Sequence, residues 1–208
     1  MTWKVLEYMK RLSPKANRWE DHYSRLAKKE NYPARSVYKL QELQSRYKLI
    51  KKGGRVLDLG CYPGSWTIYA SDLVGQKGTV VGIDLKKLDI KIPSNALVYQ
   101  CDILNIDNSM LLSIGNKFDI VISDMAPATT GNKSVDAVRS YDLCLAALDV
   151  ANNVLLHNGS FLCKIFQGED FNKFLEMVKA AFNTYKIFKP QSSRKLSKEI
   201  YIIGLGKK

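Results

Sequence analysis

Residues 53–66 read G-G-R-V-L-D-L-G-C-Y-P-G-S-W, and residues 78–84 read G-T-V-V-G-I-D. Each segment holds a short apolar run, Arg55–Leu59 in the first and Thr79–Ile83 in the second. Runs of this length, bounded by glycine, are typical of buried strands. Between them, Trp66–Val74 predicts a helix that ends at the glycines that follow. The order of strand, glycine turn, helix and strand is a βαβ unit, which predicts a parallel sheet.

The turn after the first strand predicts a nucleoside site. Gly60 and Gly64 have no Cβ, so the chain can turn sharply and approach a ligand closely. Asp84 ends the second strand, where a carboxylate accepts hydrogen bonds from ribose hydroxyls. A pyrophosphate-binding turn has glycine at the position of Tyr62, and Pro63 has no N–H to donate. The pattern favours S-adenosylmethionine, which has no phosphate, over a dinucleotide; a purely structural turn is the alternative.

The composition limits the class of protein. With 208 residues the chain is long enough for one domain with a proper core. No apolar run reaches the length of a membrane span, and the N-terminus has no apolar signal-peptide core, which predicts a cytoplasmic protein without a membrane partner. The four cysteines form no C-x-x-C pair, and with only two histidines they do not resemble a zinc site. We expect reduced thiols and no metal.

The net charge of +12 is concentrated at the two ends of the chain. Residues 1–52 carry 14 basic and 5 acidic side chains (+9), residues 186–208 carry 7 and 1 (+6), and residues 53–185 carry 11 and 14 (−3). The basic residues of the first segment alternate with aromatic ones, including Trp3, Trp19, Tyr23 and Tyr38. Cations beside rings that can stack on bases suit RNA. A basic surface that serves only solubility is the alternative.

The rest of the chain continues the alternation of strands and helices. Val37, Leu40 and Leu43 recur at helical spacing within a predicted helix over 34–49, and Lys39 borders their face. Further strands are predicted over 96–100, 118–123, 159–166, 184–189 and 199–205, and further helices over 135–156 and 169–182. His157 is expected near the C-terminus of the first of these helices, where a cation suits the helix dipole.

Two polar residues stand out at predicted strand ends. Lys164 lies in the apolar strand G-S-F-L-C-K-I-F, so its ammonium must reach water or meet an acid. Burial favours the neutral amine, although a lysine that extends to the surface is the alternative. Asp102 follows the third strand and either accepts a bond from an adenine amino group or caps a turn. The basic loop 190–195 suits contacts with phosphate.

Five motifs in order carry a family resemblance that runs from about residue 19 to the C-terminus. They are Y-P-A-R-S-V-Y-K-L (32–40), L-D-L-G-C-Y-P-G-S-W (57–66), S-D-M-A-P (123–127), G-S-F-L-C-K-I-F-Q-G (159–168) and S-S-R-K-L-S-K-E-I-Y (192–201). Together they closely resemble the FtsJ/RrmJ ribose 2′-O-methyltransferases, which include the bacterial ribosomal RNA large-subunit methyltransferase E group. One departure is Cys61-Tyr62, where bacterial members more often have two small residues.

The resemblance implies a fold, a cofactor and a set of site residues. The fold is a Rossmann-like α/β methyltransferase domain over residues 19–208, with a seven-stranded, mostly parallel sheet, helices on both faces and a basic extension over 1–18. The implied catalytic residues are Lys39, Asp124, Lys164 and Glu199. Implied contacts with S-adenosylmethionine come from Asp58, Gly60, Pro63, Gly64, Trp66, Asp84, Asp102 and Asp124. Implied RNA contacts come from Arg35, Lys39, Ser193 and Arg194.

The resemblance also implies a reaction, the methylation of a ribose 2′-hydroxyl. Lys164 is expected to be the general base or the group that orients the hydroxyl, with Asp124 orienting Lys164 and Glu199 positioning Lys39 or the ribose. The favoured acceptor is a uridine of large-subunit ribosomal RNA in the assembled subunit, and transfer RNA is the alternative. Two other classes stay open, an RNA-binding module without catalysis and a nicotinamide oxidoreductase. A monomer is expected.

Overall fold

The computed structural model describes residues 22–106, 109, 111, 114, 115 and 117–208. The predicted N-terminal extension (1–18), with Trp3, and also Trp19 lie outside these residues. The helices are α1 (His22–Lys29), α2 (Val37–Tyr47), α3 (Ser65–Val74), α4 (Lys133–Val154) and α5 (Phe171–Ala181), with a 3-10 turn at Ile103–Asn105. The strands are β1 (Arg55–Leu59), β2 (Thr79–Asp84), β3 (Ala96–Gln100), β4 (Phe118–Ser123), β5 (Leu155–Phe166), β6 (Phe182–Phe188) and β7 (Glu199–Lys207).

These strands form one sheet in the order β3-β2-β1-β4-β5-β7-β6. β1 to β5 pair in parallel, and β7 pairs antiparallel with both β5 and β6. The predicted Rossmann-like, mostly parallel sheet of seven strands is therefore confirmed. The strand order reverses between β1 and β4, and α/β sheets bind ligands in the crevice at such a reversal.

Each face of the sheet has its own core, because successive side chains of a strand point to opposite faces. In β1, Leu57 belongs to the core that α4 and α5 cover, whereas Val56 belongs to the core that α2 and α3 cover. β4 divides in the same way, with Val121 on the first face and Ile120 and Ile122 on the second. The helices thus cover both faces, as predicted.

The helix α2 brings basic side chains of the N-terminal segment to the sheet. Val37, Leu40 and Leu43 are all fully buried on its inner face. The helix ends earlier than the predicted residue 49, because Lys48 takes a left-handed conformation (φ 53°) and its N–H bonds to the carbonyl of Gln44. No helix in the described ranges has both the length and the apolar character that crossing a bilayer requires.

The largest difference from the sequence prediction lies at the junction of α4 and β5. The helix ends at Val154, and β5 begins at Leu155 rather than at residue 159. Phe118 pairs with Leu155, but Ile120 pairs with Ser160, so β5 bulges where Asn158 takes a positive φ of 64°. His157 is therefore an exposed strand residue, and its predicted place at a helix C-terminus is wrong.

Candidate active site

A cavity of about 530 Å³ opens at the reversal of strand order. It lies at the carboxyl ends of the central strands, because parallel strands all end at the same edge of the sheet. Its walls come from the segments that follow β1, β2, β3 and β4 and from one side chain of α4: Gly60, Tyr62, Asp84, Leu85, Lys86, Cys101, Asp102, Ile103, Leu104, Asp124, Met125, Ala126, Pro127, Ala128 and Leu143. This volume is typical of small-molecule sites, about 300–1,000 Å³.

The backbone N–H groups of the turn after β1 donate their hydrogen bonds to oxygens of the protein itself. Gly60 and Cys61 both donate to the carbonyl of Ile83, at 2.8 and 3.2 Å. The N–H of Tyr62 donates to Asp84 Oδ2 at 2.9 Å, and the N–H of Gly64 donates to the carbonyl of Cys61. A pyrophosphate needs such N–H groups free, so the turn suits a ligand without phosphate.

Gly60 lets the backbone approach the far wall of the cavity. Its φ is +78°, and a Cβ at this position would lie 2.4 Å from Met125 Cγ. Any larger residue would therefore push Met125 away or deform the turn. The residues present fit a nucleoside with an apolar body, since Gly60 opens the turn and Asp84 stands at the end of β2.

Two carboxylates reach this cavity from neighbouring strand ends. Asp84 is held in place by the N–H of Tyr62 and by the N–H of Lys86, which donates to Oδ1 at 2.8 Å. Asp102 caps the 3-10 turn, accepting from the N–H of Leu104 (3.0 Å) and from Asn105 Nδ2 (2.7 Å). The predicted cap is therefore present, and the same carboxylate also lines the cavity. Each oxygen keeps capacity for a further bond.

A second group of side chains meets beside the cavity, at the ends of β4 and β5. Lys164 Nζ lies 3.0 Å from Asp124 Oδ1 and donates to the main-chain oxygen of Asp124 at 2.5 Å. Tyr201 donates its hydroxyl to the same Oδ1 at 2.6 Å. The register explains the meeting, because Ser123 pairs with Cys163 and Lys164 pairs with Tyr201.

Asp124 is ionised in this arrangement. Burial opposes its ionisation, but the charges of Lys164 and Lys39 and the hydrogen bond from Tyr201 outweigh burial and lower the pKa of Asp124. An ammonium has three donors, and Asp124 occupies two of those of Lys164. The third remains available for a ligand hydroxyl.

The other two predicted catalytic residues form a second ion pair. Lys39 Nζ lies 2.8 Å from Glu199 Oε1 and 2.9 Å from Oε2. Both side chains are nearly buried, at 12 and 10% exposed. Glu199 starts β7, two residues before Tyr201, so both side chains lie on the same face of this strand. The four residues thus come from α2, β5, β7 and the end of β4.

Four of the predicted cofactor contacts lie outside the walls of the large cavity: Asp58, Pro63, Gly64 and Trp66. Trp66 is 3% exposed. It donates its indole N–H to the carbonyl of Ser36 at 2.8 Å and stacks on Tyr201. Trp66 therefore supports the ring of Tyr201 and the segment before α2. A Cβ at Gly64 would meet the side chains of Ile90 and Leu88, so this glycine permits packing beneath the turn.

Asp58 lies deep under the turn, at 1% exposed. Its Oδ2 accepts the hydroxyl of Thr67 at 2.7 Å, and its Oδ1 has no partner among the described residues. Burial raises the pKa of Asp58 to about 7, with further increases from Asp124 and Asp84, although the bond from Thr67 opposes them. Asp58 therefore supports the turn and sets the local charge from beneath it, and it lines none of the large cavity.

The predicted RNA-binding residues surround a smaller cavity of about 280 Å³, lined by Arg35, Ser36, Lys39, Arg194, Ser197 and Glu199. Arg35 donates to the carbonyl of Ser192 and lies over the ring of Tyr23. Its pKa is lowered by burial and by the neighbouring charge of Arg194. Ser193 is buried and lines none of this cavity, and its contact with RNA stays a prediction.

Several residues of the site escaped the sequence analysis. Tyr201 bonds to Asp124, and Glu42 of α2 accepts the N–H groups of Gln191 and Ser192 at 2.7 and 2.8 Å, which fixes the basic loop. Both side chains act through partners more than 70 positions away in sequence. Tyr201 ends the quoted motif S-S-R-K-L-S-K-E-I-Y, which was its available signal, whereas Glu42 lies in none of the quoted motifs. The apolar walls Met125 and Pro127 lie within the quoted motif S-D-M-A-P, which was the available signal.

Comparison with known proteins identifies the family to which the chain belongs. The model of the FtsJ-like methyltransferase family matches residues 32–207. This chain belongs to the FtsJ-like methyltransferases. The matched region contains all four residues of the two ion pairs and every wall of the large cavity. Members of the family take the methyl group from S-adenosylmethionine, in agreement with the ligand that the turn favours.

Individual FtsJ-like relatives support the assignment. The chain is 57% identical to the ribosomal RNA large subunit methyltransferase E of Desulforapulum autotrophicum over 198 residues, 95% of this chain and 98% of that protein. It is 53% identical to the enzyme of the same name from Desulfosudis oleivorans, over 96 and 97% of the two chains. A crystal structure described as a ribosomal RNA methyltransferase from Plasmodium falciparum superposes with a TM-score of 0.75 at 30% identity, covering 85% of this chain and 98% of that one.

Proposed function

We propose that this FtsJ-like methyltransferase transfers a methyl group from S-adenosylmethionine to a ribose 2′-hydroxyl of large-subunit ribosomal RNA, at a uridine. The observation that carries the proposal is the position of Lys164, held by Asp124, which is itself a wall residue of the large cavity. The names of the relatives from Desulforapulum autotrophicum and Desulfosudis oleivorans support the ribosomal substrate. We further propose that the protein acts in the cytoplasm as a monomer and that its substrate is the assembled large subunit.

Residues of the large cavity hold the methyl donor in this proposal. Asp84 accepts bonds from the ribose hydroxyls, Asp102 accepts one from the adenine amino group, and Gly60 leaves room beside Met125. The bound donor supplies an electrophilic methyl group on a sulfonium. Asp84, Asp102 and Asp124 also place three carboxylates around a cationic ligand, which favours its binding.

Lys164 binds the acceptor hydroxyl with its remaining donor. Asp124 fixes the direction of that donor with its carboxylate and its main-chain oxygen, and Tyr201 fixes the carboxylate. Orientation of this kind can supply about 7–11 kcal/mol of the barrier reduction in well-aligned reactions. With an ionised Asp124 as its partner, the resting Lys164 is placed to orient the oxygen, and it can accept the proton only after losing its own.

The second ion pair holds RNA beside this group. Glu199 keeps the ammonium of Lys39 at the wall of the smaller cavity, next to Arg35 and Arg194. Cations here neutralise phosphate without reading a base, as the basic ends of the chain suggest.

The reaction is tested by incubating the protein with labelled S-adenosylmethionine and, in parallel, 50S subunits, free large-subunit ribosomal RNA and transfer RNA. We expect label mainly in the 50S subunits, in a uridine whose 2′-oxygen carries the methyl group. Nuclease digestion and nucleoside analysis identify the modified position. Label in a base would overturn the proposed reaction. Label in transfer RNA alone would overturn the proposed acceptor.

Removal of Asp84 tests the cofactor cavity. We expect Asp84→Ala to weaken S-adenosylmethionine binding by about 10- to 100-fold, since a hydrogen bond to a charged group contributes roughly 1.5–3 kcal/mol. Calorimetric titration measures the affinity, and Asp72→Ala, which removes an exposed aspartate of α3, is the matched control. An unchanged affinity in a folded Asp84→Ala protein would mean that the ribose is held elsewhere.

A further inference from the structure

A third cavity, of about 410 Å³, opens at the end of β5, apart from the cofactor cavity. Its walls come from the first turns of α4, the end of β5, the start of α5 and the loop before β7: Lys133, Ser134, Ala137, Val138, Tyr141, Ile165, Phe166, Gln167, Gly168, Glu169, Asp170, Phe171 and Lys198. None of them lines the cofactor cavity. We name it the flanking cavity, because Ile165 follows Lys164 and Lys198 precedes Glu199 along the chain.

The walls of the flanking cavity are fixed by hydrogen bonds and close packing. The N–H of Phe166 donates to Ser140 Oγ at 3.0 Å, and the N–H of Gln167 donates to the carbonyl of Lys198 at 3.0 Å. A Cβ at Gly168 would lie 2.6 Å from Ala137 Cβ, so the segment after β5 packs tightly on α4. The flanking cavity is therefore a built feature that keeps a constant position relative to Lys164.

Its lining combines aromatic rings with acceptors that have no partner. Tyr141 is 8% exposed and packs edge-to-face on Phe174. Val138 leaves half of its side chain exposed at the cavity. Within the described ranges, the side chains of Gln167, Glu169 and Asp170 make no hydrogen bond or ion pair. An apolar floor with unused acceptors at its rim suits a flat, partly polar ligand.

The charges of the rim decide which part of RNA fits. Glu169 and Asp170 would repel a phosphate, but they accept hydrogen bonds from the N–H groups on the edge of a base. Lys133 and Lys198 at the same cavity can meet the phosphates on either side of that base. Ile165 and Phe166, which line this cavity, follow Lys164 directly in β5, and each strand residue advances the chain by about 3.3 Å. The nucleotide next to a ribose held at Lys164 is therefore close enough to contact this rim.

Resting on the proposed function, we infer that the flanking cavity binds the unstacked base of a nucleotide adjacent to the methylated one. The base lies against the apolar floor, and the rim carboxylates accept its N–H donors. Guanine suits them best, because it presents two adjacent N–H groups on one edge. Sequence selection by this enzyme thus comes in part from a neighbour of the acceptor nucleotide.

The inference is tested with the RNA fragment that carries the acceptor uridine and with two variants at exposed positions. Val138→Trp fills the flanking cavity, and Glu169→Gln removes one acceptor charge. We expect Val138→Trp to raise KM for RNA about tenfold with kcat changed less than twofold, as the loss of one stacked base predicts. Glu169→Gln should raise KM about fivefold, whereas Glu176→Gln, on the exposed surface of α5, should leave it unchanged.

An abasic nucleotide placed on either side of the acceptor completes the test. In the wild-type protein, one of the two positions should raise KM about tenfold, and Val138→Trp should make KM insensitive to that change. Additive effects of the two changes, or a Val138→Trp protein with wild-type KM, would overturn the inference. A lower KM in Glu169→Gln would also overturn it, because the cavity would then hold a phosphate. A wild-type protein that methylates no RNA would instead refute the proposed function, before any variant is compared.

Discussion

Replacing Lys164 by alanine is expected to lower the rate of methyl transfer about 10³-fold, while the affinity for S-adenosylmethionine changes less than threefold. The rate falls because the acceptor hydroxyl loses the group that orients it or takes its proton, and such groups typically contribute 10²–10⁴-fold. The affinity is kept because Lys164 lines none of the described cofactor cavity. Single-turnover transfer of labelled methyl and calorimetric titration measure the two quantities.

Removing Lys164 also leaves Asp124 without its nearest cation, so loss of the fold must be separated from loss of chemistry. Lys164→Met keeps most of the packing volume of the buried stem, and circular dichroism with thermal unfolding reports whether each variant is folded. A folded Lys164→Met protein that turns over within tenfold of the wild type would remove Lys164 from the mechanism.

Small primary amines added to Lys164→Ala separate the two possible roles of the lysine. Rescue that increases with pH identifies a proton acceptor, since only the neutral amine can take the proton. Rescue that decreases as pH rises through the pKa of the added amine identifies a cation that orients the hydroxyl with an N–H donor. The ion pair with Asp124 favours the second result in the resting site.

Asp58 gives the second large effect, on stability. Its pKa is about 7 in the folded protein and 3.8 as an ordinary aspartate, so the folded state binds the proton more tightly. The free energy of unfolding therefore falls as pH rises from about 4 to about 7, by roughly 4 kcal/mol over the full range. Between pH 5 and pH 8 the loss is roughly 2–3 kcal/mol. In Asp58→Asn this loss should disappear, because asparagine does not titrate and its carbonyl still accepts the Thr67 hydroxyl.

Urea unfolding of the wild type and of Asp58→Asn at pH 5 to pH 8 measures this difference. Asp72→Asn is the control, since Asp72 is exposed on α3 and makes no bond with the turn. We expect the wild type and the control to lose stability in parallel with rising pH, and Asp58→Asn to lose less. Parallel curves for all three proteins would show that burial does not shift the protonation of Asp58.

The central strands could be predicted from the sequence to within one residue, because their apolar runs record burial on both faces of a parallel sheet. The start of β5 could not. It depends on the pairing of Leu155 with Phe118 and on a bulge at Asn158, and both are set by the neighbouring strand. A helical pattern that runs into such a strand gives no local sign of where it stops.

The candidate site shows the same division between local and distant information. Lys164 could be singled out because an ammonium within an apolar strand needs a partner. Its partners could not be derived from spacing, since Asp124 lies 40 positions away and Tyr201 joins through an antiparallel register. The motif around Asp58 and Trp66 marked the right turn, and both side chains are buried beneath it, outside the walls of the large cavity.

The attachment of the basic loop to α2 has a consequence for the whole chain. Glu42 and Arg35 hold the backbone of Gln191 and Ser192, so two basic segments about 150 positions apart in sequence are joined. A polyanion lying across these two segments would bridge α2 and the loop before β7. Occupancy by RNA would thus restrain the molecule end to end, and the enzyme would be most rigid while its substrate is in place.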